Sequence, residues 1–321
     1  MKVKDKIMRM YQNKKRNNII KQIVFCALIF LTIVPIAAQT NRAITVVTEP
    51  KAIVWLDDLR RGKTDENGKL IVKPITAGAH KIRVRADGFK ETSQALTAAQ
   101  TGEVKIALAK TDDAAELAFQ EAERLMAVDR QKAIAAYRKA ISLRPKYAEA
   151  NLALARISSD AGEYESALKA VAEARRARPG WAEASAVEGR IYAAEGEQEK
   201  AIAAFKRAIT EGRGVQAEAT TGLGLIYKEK AEEFGGGGDF EAEAENYQIA
   251  ANYFKKAIAQ LGGAPDAITI YQFLGLAYEN MKKYDEAIKV YEQFLREFPD
   301  ANEATTVRSF ITQLKKQMGE Q

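Results

Sequence analysis

The sequence predicts an α+β multidomain protein, a small all-β sandwich followed by an all-α solenoid. Three observations carry that prediction. Ala133, Tyr137, Ala140 and Pro145 return as Ala167, Val171, Ala174 and Pro179, and again as Ala201, Phe205 and Ala208, a step of 34 residues. A unit of that length cannot bury its apolar face alone, so copies stack into an array with a long concave surface. Between 43 and 110 the apolar residues fall instead in short alternating or β-branched runs broken by turn residues, the pattern of strands. Past Lys110 the apolar period lengthens from two to about 3.6, so the two folds meet there.

The chain opens with a leader, residues 1–38, in which eight residues are basic and one, Asp5, is acidic. An apolar run from Ile23 to Val34 follows, and Pro35-Ile36-Ala37-Ala38 precedes Gln39. That is the layout of a secretory signal cut near Ala38. An uncleaved membrane anchor is the alternative, because Ile19 to Ala38 approaches the ~20 residues of a span. Either way the bases stay cytoplasmic and the body is exported, to the periplasm or cell envelope. The formal charge of +6 belongs to this leader, since without it 41 bases face 42 acids. A near-neutral body has no general attraction for phosphate backbones, which argues against nucleic acid as a partner. The single cysteine, Cys26, lies in the apolar run behind Phe25, where a lipidation signal would place a small residue. A mature chain without it has no thiol for disulfides or catalysis.

In the β segment, 43–110, strands are expected at Ala43–Thr48, Ala52–Leu56, Lys69–Val72, His80–Arg85 and Val104–Leu108. Asn67-Gly68 supplies the positive φ of a tight hairpin, and Gly62, Gly78 and Gly88 mark further turns. Gly62-Lys63-Thr64 imitates the tail of a phosphate loop, but Asp57 stands where the earlier glycine is required, so a turn is expected. Asp65, Asn67 and Gly68 echo a calcium loop whose closing glutamate position holds Pro74. His80, the one histidine, alternates with Ile82 and Val84 and reads as a strand side chain. The order Glu49-Pro50-Lys51-Ala52-Ile53-Val54-Trp55-Leu56-Asp57, Gly62-Lys63-Thr64, Gly78-Ala79-His80-Lys81-Ile82-Arg83-Val84 and Gly88-Phe89 resembles the PEGA domain, a β module of envelope and surface proteins. That resemblance implies an envelope location and adhesion to, or binding of, envelope components.

The helical region spans 113–300, with Asp112 or Asp113 able to cap its first helix. Its first copy runs from Ala118 to Pro145. Leu154, Ala155 and Gly162 lead to Ala167, Val171 and Ala174 in the second, and Gly189, Tyr192 and Gly196 lead to Ala201, Phe205 and Ala208 in the third. A fourth uses Gly224, Tyr227, Ala250, Phe254 and Ala257, and a fifth Tyr271, Leu274, Gly275, Tyr278, Ala287, Tyr291 and Pro299. Small residues let helices approach and the aromatic fills the hole they leave. These residues resemble the tetratricopeptide repeat (TPR), a helix-turn-helix unit, in about five copies. The fourth carries an insertion near 229–246 with Gly235-Gly236-Gly237-Gly238 among acids, either a mobile acidic loop or a partner-contacting element. Residues 301–318, with Val307, Phe310, Ile311 and Leu314 on one face, read as the capping helix.

The TPR resemblance implies that first-helix positions line a groove, and the candidate partner-binding residues are Leu152, Arg156, Arg190, Leu225, Lys228 and Gln272. Arg156 and Arg190, one repeat apart, are placed to clamp a carboxylate or phosphate. The competing expectation pairs Arg156 with Asp160 and Arg190 with Glu183. The Lys-and-Asn set by which some relatives grip a terminal carboxylate is absent. No His pair, Cys cluster or nucleophile elbow occurs, so no catalytic residue, metal site or cofactor is expected. The expected function is a non-catalytic interaction scaffold of the cell envelope with a protein or peptide partner, touching membrane only through the N-terminal segment if uncleaved. The alternative gives binding of a cell-envelope polymer to the β module, with the repeats as spacer or oligomerisation module.

Overall fold

The computed structural model describes residues 42–76 and 78–319, so the leader and its expected signal or anchor lie outside the described residues. Among the described residues seven strands form two sheets: β1 (Arg42–Val47), β2 (Ile53–Leu56), β3 (Leu59–Lys63), β4 (Lys69–Ile75), β5 (His80–Arg85), β6 (Thr92–Leu96) and β7 (Gly102–Lys105). One has the order β4-β1-β7, with β7 parallel to β1, and the other the antiparallel order β3-β2-β5-β6. A single apolar cluster takes Ile44, Val46, Val72 and Val104 from the first sheet and Val54, Ile82, Val84 and Leu96 from the second.

Two strands escape the sequence pattern. β3 is Leu59-Arg60-Arg61-Gly62-Lys63, with no residue fully buried, and β6 offers the core only Leu96. Gly62 is therefore in a strand rather than a turn, at φ 145° opposite Val54, where the register shifts. The tight hairpin is at Asp57-Asp58, both residues having positive φ (51° and 64°), between Leu56 and its partner Leu59. Asp57 is held there by its carboxylate, which accepts the Lys81 N–H at 2.9 Å and meets His80 Nδ1 at 2.5 Å. Asn67-Gly68 instead carries the chain from β3 in one sheet to β4 in the other. Gly68 is required there, since a Cβ would lie 2.0 Å from the Thr48 carbonyl oxygen.

Eleven helices follow among the described residues: α1 (Ala114–Leu125), α2 (Arg130–Leu143), α3 (Ala148–Asp160), α4 (Tyr164–Ala177), α5 (Ala182–Glu195), α6 (Gln198–Glu211), α7 (Ala217–Gly236), α8 (Phe240–Leu261), α9 (Ala267–Asn280), α10 (Tyr284–Glu297) and α11 (Ala304–Gly319). Asp113 caps α1, accepting from the N–H groups of Ala115 and Glu116. Successive helices pair, and the pairs stack through the small-residue positions. A Cβ on Gly189 or Gly222 would stand 2.5 or 2.3 Å from the Phe205 ring, on Gly224 2.5 Å from Phe254, and on Gly275 2.3 Å from Tyr291. All three rings are buried.

The segment 229–246 differs from a loop. α7 and α8 have 20 and 22 residues, against 14 in α6, α9 and α10, and only Gly237-Gly238-Asp239 is non-helical between them. Gly237 N–H closes on Glu233 O at 3.0 Å, Gly238 takes φ 83°, and Asp239 caps α8 through the Ala242 N–H. Backbone hydrogen bonding thus carries through the glycines. At the far end Val307, Ile311 and Leu314 of α11 are buried, while Phe310 stays 39% exposed beside Tyr291.

The sheets and helices are joined at two places. Gln120 of α1, 4% exposed, accepts the Gly88 N–H at 2.8 Å and donates to the Phe89 carbonyl at 2.9 Å, while Arg85 lies 4.7 Å over the Phe119 ring. Toward the other end of the array, Arg61 donates to the Leu261 carbonyl and to Pro74 O, both at 2.9 Å. Leu59 packs on the apolar cluster of α7–α11, and Gly263 sits so close to Pro74 that a Cβ would fall 2.5 Å from its ring.

Two outcomes follow from this packing. Gly275→Ala lowers stability by ~1–3 kcal/mol, because overpacking a buried ring outweighs the ~1 kcal/mol helix-propensity gain, whereas Gly236→Ala, with open space around it, is neutral or stabilising; urea denaturation reads both. Removing both joints with Arg61→Ala and Gln120→Leu leaves buried backbone groups unpaired at ~1–3 kcal/mol each, and calorimetry should then resolve one melting transition into two.

Candidate functional site

The first helices of the pairs, α3, α5 and α7, touch one another and carry an acid in their first turns, Glu149, Glu183 and Glu218. Arg156 of α3 reaches across both following pairs. Its Nη1 and Nη2 donate to the two carboxylate oxygens of Glu218 at 2.9 Å each, and Nη2 also meets Glu183 Oε1 at 3.1 Å. This is a bidentate fork that pins three successive repeats. Loss of solvent would lower the Arg156 pKa, but pairing with Glu218 and Glu183 outweighs it and the guanidinium is held above its ordinary value. Loss of solvent raises the Glu183 carboxyl; Arg156 opposes that shift, Glu218 adds to it, and Arg83 of β5 pulls the other way.

Arg190, one repeat on from Arg156, has a different situation. Asp160 Oδ1 is 4.0 Å from its Nη2, beyond hydrogen-bond reach. Its Nε and Nη2 are shielded from solvent and have no hydrogen-bond acceptor. The expected pairs are thus exchanged: Glu183 goes to Arg156, and Arg190 faces Asp160. The reason is reach, since an arginine on α3 extends along the rim to acids one and two repeats away and leaves Arg190 without either.

The other candidates divide. Leu152 is 3% exposed in the apolar cluster of α3–α5, so it packs the array and presents nothing to a partner. Leu225 is half-buried against the cluster of α7–α11. Lys228 pairs with Glu232 at 2.6 Å one turn on. Gln272 is half-buried on α9. Two arginines that the sequence reading passed over behave alike: Arg144 and Arg178, a repeat apart, each cover an aromatic ring, Tyr147 at 4.4 Å and Trp181 at 4.3 Å, and pair with Asp113 and Glu149 respectively. Their spacing of one repeat was the available signal. No group of three or more His, Cys, Asp or Glu placed to hold a metal occurs among the described residues.

Family models described as Tetratricopeptide repeat match residues 124–191, 182–211 and 274–301. The array contains tetratricopeptide repeats. Among solved structures, yeast Tom70 resembles the chain in fold, with a TM-score of 0.51 and 16% identity over 64% of this chain and 41% of that one. TTC0263, a thermophilic TPR protein of Thermus thermophilus, gives 0.47 and 21% over 63% of this chain and 98% of its own. MamA gives 0.41 and 25% over 61% and 96%. No curated protein sequence matches the chain. TPR proteins generally mediate protein–protein interaction.

Arg156→Ala leaves Glu183 and Glu218 side by side without their cation. With all three side chains part-exposed, the expected loss is ~1–3 kcal/mol in urea denaturation, between exposed and buried ion pairs, against less than ~0.5 kcal/mol for Arg190→Ala.

Proposed function

We propose that the protein is a non-catalytic scaffold of the cell envelope whose TPR groove holds a peptide or protein partner, with Arg190 as the anchor for a partner carboxylate. The observation that carries the reading is the Arg190 guanidinium: its side chain is 40% exposed on the helix face that TPR arrays use, its Nε and Nη2 have no hydrogen-bond acceptor, and the nearest acid, Asp160, stands off at 4.0 Å. A guanidinium without a hydrogen-bonded acid keeps its planar donor fork for an incoming carboxylate. The leader supports export, on its charge and apolar layout. The residues quoted between 49 and 89 support a PEGA-type module. Polymer binding by that module has less support, because its one tryptophan, Trp55, lies under Arg83 at 4.1 Å and Arg85 at 5.5 Å and offers no bare ring for a sugar.

The test uses the whole mature chain as bait in envelope extracts, since the β segment and the repeats share contacts and are not separable without loss. A retained protein is identified and its affinity measured. Arg190→Ala should weaken it at least about tenfold, the ~1.4 kcal/mol floor of a charge-assisted hydrogen bond. Unchanged affinity removes Arg190 from the reading, and retention of glycan alone favours the polymer alternative. Sequencing the mature N-terminus decides between signal and anchor.

A further inference from the structure

We infer that the outer halves of α7 and α8 form a second docking surface, separate from the groove, for a basic amphipathic segment of a partner protein. The two helices outrun those of the other pairs by about two turns, so their tip projects past the turn between α5 and α6. It lies on the rim of first-to-second-helix turns, whereas Arg61 and Pro74 of the β segment engage the opposite kind of turn, at Leu261–Gly263. Ala231 and Tyr247 still join the apolar cluster of α7–α11, but no residue from 232 to 246 is buried, so the length beyond them does not serve repeat stacking. What it adds is a ledge, with an open pocket of about 640 Å³ between the hairpin and Gln198 of α6, lined by Tyr227 and Phe234 together with Lys230 and Glu233. Phe234 is 40% exposed, and Phe240, the first residue of α8, is 71% exposed.

The charge on this ledge names the occupant. Residues 229–246 contain seven acids and one base, Lys230. Only Glu232 is in an ion pair among the described residues, whereas Glu183, Glu188 and Glu218 in the body of the array are each met by arginine. Glu229 with Glu233, and Glu241 with Glu245, are like-charge pairs one turn apart, a spacing that weakens an isolated helix. Aromatic side chains left in water beside uncompensated acids fit a partner helix with apolar and Lys or Arg faces, whose rings-first contact is apolar and whose orientation is set by charge. The other base near the tip, Lys228, is already committed to Glu232.

The probe is a fluorescently labelled amphipathic Lys/Leu helical peptide, with a Glu/Leu counterpart, titrated by anisotropy against the full chain. The Lys/Leu peptide should bind and the Glu/Leu peptide should not. Phe240→Ala should weaken binding at least about tenfold, and so should Glu241→Gln with Glu245→Gln, the latter also flattening the salt dependence. These side chains are exposed, so the variants keep the wild-type circular dichroism, which is checked alongside. Arg190→Ala should leave this affinity within twofold. No binding to the wild type, or affinities within twofold in both hairpin variants, overturns the proposal. So does a loss confined to the Gln variant, which would reduce the surface to unspecific attraction. None of these results touches the Arg190 measurement, so the groove reading stands or falls by itself.

Discussion

The contact between a first-helix glycine and a second-helix aromatic ring sets the geometry of the array. With 2.3–2.5 Å between a would-be Cβ and the rings of Phe205, Phe254 and Tyr291, helices in these pairs are as close as backbone allows. Phe205 shows the constraint in its strongest form, lying between Gly189 of its own pair and Gly222 of the next. One ring therefore fixes both the spacing within a repeat and the offset to its neighbour. Interiors packed to this density do not deform gradually, so the orientation of every exposed first-helix residue follows from it. Arg156 can reach Glu183 and Glu218 only because α3, α5 and α7 are stacked at that offset.

The charges on the first-helix face follow from the same stacking. An acid recurs in the first turn of successive first helices, favourable to each helix dipole, yet side by side the acids repel. Arg156 relieves two of them at once, and Arg178 takes Glu149. The distribution is uneven: Arg190 occupies the position equivalent to Arg156 but finds only Asp160, at 4.0 Å. An array whose acids were simply neutralised in order would pair both arginines alike. The unevenness separates an arginine that ties three repeats together from one that ties none by a hydrogen bond.

Much of this was legible in the sequence, and the limits have physical causes. Local periodicity carries strong information: the repeat step, the glycines and the rings they meet are all near in sequence and obey packing rules that residue types reveal. β1, β2, β4 and β5 were readable because they alternate buried and exposed residues. β3 and β6 were not, because strands at a sheet edge bury little, and Asp57-Asp58 hid a hairpin turn behind a pair of residues that seldom take positive φ together. Leu152 looked like a groove residue from its helix position, and only the stacking of α3 on α5 turned it inward. Arg156 and Arg190 are identical by pattern; their difference depends on partners 27 and 62 residues away. The glycine run at 235–238 reads as loop by composition, yet helical hydrogen bonds continue to Gly236.

The joints between sheets and helices bear on what kind of binding surface the array offers. A chain of stacked repeats is quasi-one-dimensional, each contacting its neighbours, and its curvature is free to change by small increments at every interface. Here Gln120 in the first repeat and Leu261 at the end of the fourth are both bonded to one small β unit, whose own core holds them at a set separation. Tying the first repeat to the end of the fourth in this way braces that stretch of the solenoid. A braced surface gives up adaptability, since it cannot wrap a partner of different shape, but it loses less conformational entropy when a matching partner binds. The exposed acidic hairpin stands away from both joints, on the rim that the brace leaves clear. Shape is thus fixed where the arginines sit, and an unneutralised surface is left where the helices project.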